Sequence, residues 1–303
     1  MSPQKTISPH AWLEIAILSL IWGASFLAFS IALRELGVFT TVAFRTGGGA
    51  IILWIYIIAR RMPLPRDPKI WGAFLVMGIL NNAIPFSLIA WGQLHIPSGL
   101  ASILNGSTAI IGAIVAAIAF ADERLTMRKT IGVLFGFFGV ATAIGLSALT
   151  QFDITSLAQL AIVGSSTAYA LSGVWAKLTM KSVAPQMAAA GMMTAAALIM
   201  VPLGIYVDGV PSFDYPTETW FALLQLAALS TAVAYLLYYR LLGMVGSGNL
   251  MLVTLTVAPV AIILGALVLG EDLSANAYVG FAFLALGLLI IDGRIFKRKT
   301  VPA

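Results

Sequence analysis

Apolar residues along this chain neither alternate nor keep to one helical stripe. They come in runs of about 20, and the charged residues collect in the short segments between them. A run of that length, wound as a helix at about 1.5 Å per residue, crosses roughly 30 Å of hydrocarbon. Ten such runs are read: 11–33, 40–60, 70–93, 98–120, 129–149, 157–177, 186–207, 217–241, 248–270 and 275–293. The fourth, rich in Ala, Gly and Ser, depends most on its neighbours. The first is too long for the apolar segment of a secretory leader and no small-x-small cleavage site follows it, so it is read as a retained helix. The pattern predicts an all-α integral membrane protein of ten transmembrane helices.

Composition sharpens this. The chain is 60% hydrophobic and 10% charged, where a soluble domain carries about 25% charge. Cysteine is absent, which removes disulfides, thiol chemistry and Cys-based metal sites. The net charge of +5 comes from basic loops suited to an anionic lipid surface, so the expected partner is the bilayer and not nucleic acid. Counting Lys and Arg by loop places 15 of the 17 on the side of the N-terminus. The other side holds Arg34, with Arg45 just inside the second run. Both termini are therefore expected in the cytoplasm, with an even number of spans.

One positional signature occurs twice. Residues 123–139 and 271–287 both fit E-x-L-[ST]-x5-G-x6-G: Glu123, Leu125, Thr126, Gly132 and Gly139 against Glu271, Leu273, Ser274, Gly280 and Gly287, 148 residues apart throughout. The first copy carries Arg124, Arg128 and Lys129, where the second has Asp272, Asn276 and Ala277. Related units that differ in this way are expected to lie in opposite orientations, as in carriers that rock about a pseudo-two-fold axis. The expected units are 1–150 and 151–303, five helices each. Weaker matches follow: Asn81-Asn82 against Ser230-Thr231 and Phe86 against Tyr235 at an offset of 149, and Trp22 to Ser25 against Tyr169 to Ser172 at 147.

The I-W-G-A-S-F stretch at Ile21 to Phe26, the V-A-F-R ending at Arg45 and the paired E-x-L-[ST]-x5-G resemble the EamA-type members of the drug/metabolite transporter superfamily. The resemblance covers almost the whole chain. It implies a ten-helix carrier of the bacterial inner membrane, built of two inverted repeats, that exports amino acids, aromatic ones among them, or related metabolites. Two positions depart from the family pattern. A proline common in the middle of each fourth helix is present as Pro259 but replaced by Ile111 in the first half, and Arg45 has no basic counterpart near Gly191.

Polar side chains deep in a bilayer are costly and hence functional candidates. Asn82 and Phe86, one turn apart on one face, are assigned to a substrate cavity. Trp22, Ser25 and Asn105 join them from the first half, and Tyr169, Trp175 and Tyr235 from the second. Asn81, Ser230, Thr231 and Ser172 are read chiefly as interhelical glue. Arg45, near the outer end of its span, is read as structural or as part of an outer gate, with a substrate-carboxylate site as its other use. Glu123 and Glu271 are expected to cap the helices that follow them, and Gly132 and Gly280 to mark close helix packing.

No Asp, Glu, Lys or Arg is expected at mid-bilayer, which disfavours cation antiport and phosphorylated cargo. The only histidines, His10 and His95, lie near span ends with no acid pair or metal cluster, so an enzyme is disfavoured. No span carries a polar stripe over its length, as a channel lining needs. The expected protein is a carrier of small molecules without cofactor or metal: an exporter of neutral amino acids and related metabolites, with a drug or sugar permease as runner-up. The oligomeric state is left open, a monomer being compatible with the pattern.

Overall fold

The computed structural model describes residues 8–121, 125–145, 154–250 and 252–292. The helices are α1 (Pro9–Ala32), α2 (Val38–Ala59), α3 (Pro68–Gln93), α4 (Ser98–Asn105 and Thr108–Ala119) and α5 (Met127–Ile144). The second half holds α6 (Ile154–Thr179), α7 (Pro185–Val207), α8 (Thr217–Leu224, Gln225–Val233 and Ala234–Leu250), α9 (Leu252–Leu264 and Gly265–Leu269) and α10 (Ala275–Asp292). Among the described residues nine helices are long and apolar enough to cross a membrane, and the shorter apolar helix Thr256–Leu269 stands where the ninth run was read. No strand occurs among them.

Local chemistry sets the ends. Pro9 and Pro68 open their helices behind side-chain caps, Ser8 accepting from Ala11 N–H and Asp67 from Lys69 N–H. Gly270, left-handed at φ 66°, stops α9, and Gly145 at φ 86° stops α5 at Ile144, short of the expected end at 149. Helix α8 continues to Leu250, well past the expected end at 241. Thr126 caps α5, accepting from Lys129 N–H as the signature predicts.

Helix α5 packs on α10, α2 on α7, α1 on α9 and α8, α6 on α4 and α3, α3 on α7, and α2 on α8. Exchanging α1–α5 for α6–α10 maps this set of pairs onto itself. The signature glycines form the α5–α10 seam. A Cβ at Gly132 would lie 2.7 Å from Gly287 O, and one at Gly139 2.7 Å from Gly280 O. The reciprocal Cβ atoms at Gly287 and Gly280 would each lie 2.6 Å from the oxygen of their partner. Only glycine permits backbones this close. Pairing first with last is what two copies of one motif do when they cross antiparallel.

Large apolar side chains cover the outside, Ile58 at 71% exposure and Leu267 at 78% among them. In water that surface would aggregate, whereas hydrocarbon is its proper solvent. Phe29, Leu53, Phe74, Met192 and Met193 fill the interior.

Candidate functional site

The site is built where the third helix of each half widens. Residues Ile79–Ala83 of α3 and Gln225–Val233 of α8 form π-helical turns. The repeat offset of 149 carries the first into the second. In α3 the cause is local, because Pro85 has no N–H to close the ordinary turn. Helix α8 has no proline there; instead the Thr231 hydroxyl donates to Leu226 O at 2.8 Å and Ser230 Oγ to Gln225 Oε1 at 3.0 Å. Such turns shift the following side chains around the helix and are frequent at functional sites.

The two widened turns are joined by a chain of donors. Ser172 Oγ of α6 donates to Asn81 Oδ1 at 2.8 Å, Asn81 Nδ2 to Tyr235 Oη at 2.9 Å, and the Tyr235 hydroxyl to Asn82 Oδ1 at 3.2 Å. The last donor group, Asn82 Nδ2, has no protein partner although Asn82 is 0% exposed. Asn81, read from sequence chiefly as glue, is thus the centre of the chain, bridging α6 and α8.

Arg45 corrects the expectation most. It starts about two turns into α2 and points inward, at 6% exposure, with its guanidinium carbon 3.7 Å from the Phe86 ring centroid and 5.1 Å from that of Phe29. Its Nε donates to Thr231 Oγ1 at 3.3 Å. Tyr169 and Tyr235 lie within electrostatic reach. Thr231 is roughly 21 Å along α8 from Thr217, at mid-span. A cation therefore does reach mid-membrane, contrary to the sequence reading. The physical reason is side-chain length: backbone depth places Cα, and the long stem carries the charge inward.

Among the described residues no carboxylate pairs with Arg45. None of the contacts present carries a compensating negative charge, and the terminal guanidinium nitrogens make no hydrogen bond to the described residues, so Arg45 keeps donors for an additional partner.

The other expected residues divide. Trp22 Nε1 donates to Ser230 O at 3.2 Å, and its ring lies 5.6 Å from that of Tyr238, which with Tyr239 continues the aromatic wall to Tyr235. Ser25 donates only to Trp22 O. Trp175 is turned to Ala73 O on α3, away from the chain of donors. Asn105 sits at a break in α4, where its carbonyl accepts from Thr108 and Ser166, and it makes no contact with Arg45 or Asn82. The distortion of the paired helix lies elsewhere: Pro259 is inside a continuous α9 and the widened turn follows at Gly265–Leu269.

Glu271 does not cap the helix that follows it. Its carboxylate accepts from Ser98 N–H and Ser98 Oγ, each at 2.8 Å, and from Gly99 N–H at 3.2 Å, capping α4 in the other half. Glu123 lies outside the described residues. No cluster of metal-ligating side chains occurs among the described residues.

Sequence reasoning missed Gln225, Tyr238 and Tyr239, and misplaced Arg45. One signal was available: Gly48 and Gly49 lie one turn from Arg45 on the same face, and a Cβ on them would strike Ala227 and Thr231 of α8. Small residues mark a helix contact and not a lipid face. Tyr169, Tyr235, Tyr238 and Tyr239 are surrounded by protein yet keep accessible surface, as side chains lining an internal space do.

Comparison with known proteins bears directly on this arrangement. The EamA-like transporter family matches the chain twice, over residues 11–145 and 156–292. The chain belongs to that family. It is 21% identical to an uncharacterized transporter of Bacillus subtilis, over 95% of this chain and 98% of that one. It is 22% identical to a probable amino-acid metabolite efflux pump of Escherichia coli, covering 93% and 94% of the two chains. It is 23% identical to a probable terminal-alkyne amino-acid exporter of Streptantibioticus cattleyicolor, covering 97% and 96%. A solved crystal structure shares the fold at a TM-score of 0.67 and 17% identity, covering 94% of this chain and 98% of the other. This EamA protein is accordingly a transporter, not an enzyme.

Proposed function

We propose that the protein exports neutral amino acids and related small metabolites across the bacterial cytoplasmic membrane. The observation that carries this reading is the polar chain Ser172–Asn81–Tyr235–Asn82, enclosed at mid-span between the two equivalent widened helices. Trp22, Phe86, Tyr169 and Tyr235 supply apolar surface beside it, which suits a small solute with an apolar side chain. Residues 1–150 and 151–303 act as two five-helix units inserted in opposite orientations, with both termini in the cytoplasm. Alternating access follows when α3 and α8 tilt against their neighbours while the α5–α10 pair stays fixed. The relatives named as amino-acid metabolite and amino-acid exporters support the cargo class.

Purified protein in proteoliposomes should exchange radiolabelled neutral amino acids by counterflow without an imposed pH gradient. Movement of a lipophilic cation with no amino-acid exchange would establish the drug-permease alternative. The natural absence of cysteine allows a second check. A cysteine at Asp214 should react with an impermeant thiol reagent in intact cells, whereas cysteines at Asp67 and Lys181 should not. Labelling at Asp67→Cys would reverse the orientation.

A further inference from the structure

We infer that the cargo is recognised by a carboxylate group seated between the Arg45 guanidinium and the Asn82 side-chain amide, and that an amino group on the cargo is dispensable. This rests on the reading of the centre as a site for small metabolites and adds the chemistry that selects among them.

Donors and acceptors in the centre are unequally satisfied. Each acceptor in the central chain already takes one hydrogen bond, and none of them carries a negative charge. Asn81 Oδ1 accepts from Ser172, Tyr235 Oη from Asn81, Asn82 Oδ1 from Tyr235 and Thr231 Oγ1 from Arg45. The groups of the centre left with no partner at all are donors. Asn82 Nδ2 is sealed from solvent without an acceptor. Arg45 makes one side-chain hydrogen bond, through Nε, which leaves its terminal nitrogens free to form a fork. A group presenting two acceptor oxygens and one negative charge satisfies both, and a carboxylate matches the guanidinium fork in shape and sign.

Proximity of the two donors follows from their shared neighbours. Phe86, on whose face the guanidinium lies, is one turn beyond Asn82 on α3. Tyr235, bonded to Asn82, is within electrostatic reach of Arg45. The same cluster offers an ammonium group no negative charge. Among the described residues no carboxylate faces it. An organic monoanion should therefore bind at least as well as the matching zwitterion, and a matching amine should not.

The pseudo-symmetry isolates the feature. The position equivalent to Arg45 falls near Gly191, whose Cα is packed directly against the Phe74 ring. One half thus contributes the cation and the other closes the corresponding space with an aromatic ring, so the site holds a single anionic group.

The test uses the full chain in proteoliposomes and two matched series: L-phenylalanine, 3-phenylpropionate and 2-phenylethylamine, then L-leucine, 4-methylpentanoate and 3-methylbutylamine. Both acids of each series should exchange, with the amine at least roughly tenfold weaker. Arg45→Met should lower exchange of all four carboxylates by roughly a hundredfold or more while the thermal midpoint in detergent stays unchanged or rises, since removing an uncompensated buried charge relieves the fold. Arg45→Lys should restore part of the exchange, and Asn82→Ala should weaken it roughly tenfold.

Exchange of the amino acids without the deaminated acids overturns the inference and leaves amino-acid export standing. Full exchange by Arg45→Met, or its unfolding while Asn82→Ala exchanges normally, also overturns it, the latter showing a purely structural arginine. Exchange of the deaminated acids alone supports the inference and narrows the export reading. Failure of every carboxylate beside transport of a lipophilic cation rejects both.

Discussion

The α5–α10 seam and the α3–α8 centre are both places where equivalent elements of the two halves meet, and they solve that meeting in opposite ways. At the seam like meets like: Gly132 against Gly287 and Gly139 against Gly280, backbone on backbone. At the centre the equivalent positions have diverged. Asn81 and Asn82 stand against Ser230 and Thr231, Phe86 against Tyr235, and Arg45 has no counterpart. The seam is an apolar joint of touching backbones flanked by Ala143, Leu284 and Ile291, and the centre is a set of polar side chains with donors to spare. Symmetry is retained where the helices must hold and lost among the side chains of the proposed cargo site.

Substitutions should separate the two regions by what they damage. The largest effect is expected from Gly139→Leu or Gly280→Leu. Each places a side chain within 2.7 Å of a partner carbonyl oxygen, beyond the about 1–3 kcal/mol of ordinary overpacking. Yield of monodisperse protein in detergent should collapse, and normal yield with normal transport would dissolve the distinction. An intermediate effect is expected from Tyr235→Phe, which strands Asn82 Oδ1 and leaves Asn81 Nδ2 only the Met192 sulfur at 3.7 Å, at about 1–3 kcal/mol. Exchange should fall roughly tenfold or more while yield stays near wild type. The smallest is expected from Glu271→Gln, which keeps the oxygen that accepts from Ser98 N–H but loses the charge at the start of α4 and the acceptor for Gly99 N–H, about 1–2 kcal/mol. A thermal shift without loss of exchange is the expected signature; lost exchange at unchanged stability would place Glu271 in the transport cycle.

Much of the frame is legible in the sequence because the bilayer makes it so. Runs such as 186–207 and 275–293 must be helices, since hydrocarbon satisfies no backbone group, and α7 and α10 lie there as read. The glycines of the repeated motif are legible because nothing else fits between touching backbones. What was not legible depends on partners distant in sequence. Glu271 reaches Ser98 across 173 positions, and no local pattern records that. Asn81 becomes the middle of a donor chain only once Ser172 and Tyr235 are brought to it from the other half. The widened turn of α8 has no proline to announce it. Arg45 was misjudged because position along a helix fixes depth for a backbone and not for a charge on a long stem.

An uncompensated cation in the centre also decides what the electric field across the membrane acts upon. On the alternating-access reading proposed above, the empty site carries one positive charge through the reorientation step, and a site loaded with a monoanion carries none. A full cycle that releases such a cargo outside then moves one negative charge outward, the direction an interior-negative potential favours. Each 100 mV contributes about 2.3 kcal/mol per charge, close to a fiftyfold accumulation ratio. For a monoanion, on that reading, the voltage alone suffices to drive export without an acidic side chain in the middle to bring a proton along, whereas a zwitterion, neutral overall, is moved without net charge. A potassium diffusion potential, negative on the cargo-loaded side of the vesicle, should accelerate net release of 3-phenylpropionate and leave one-for-one counterflow unchanged.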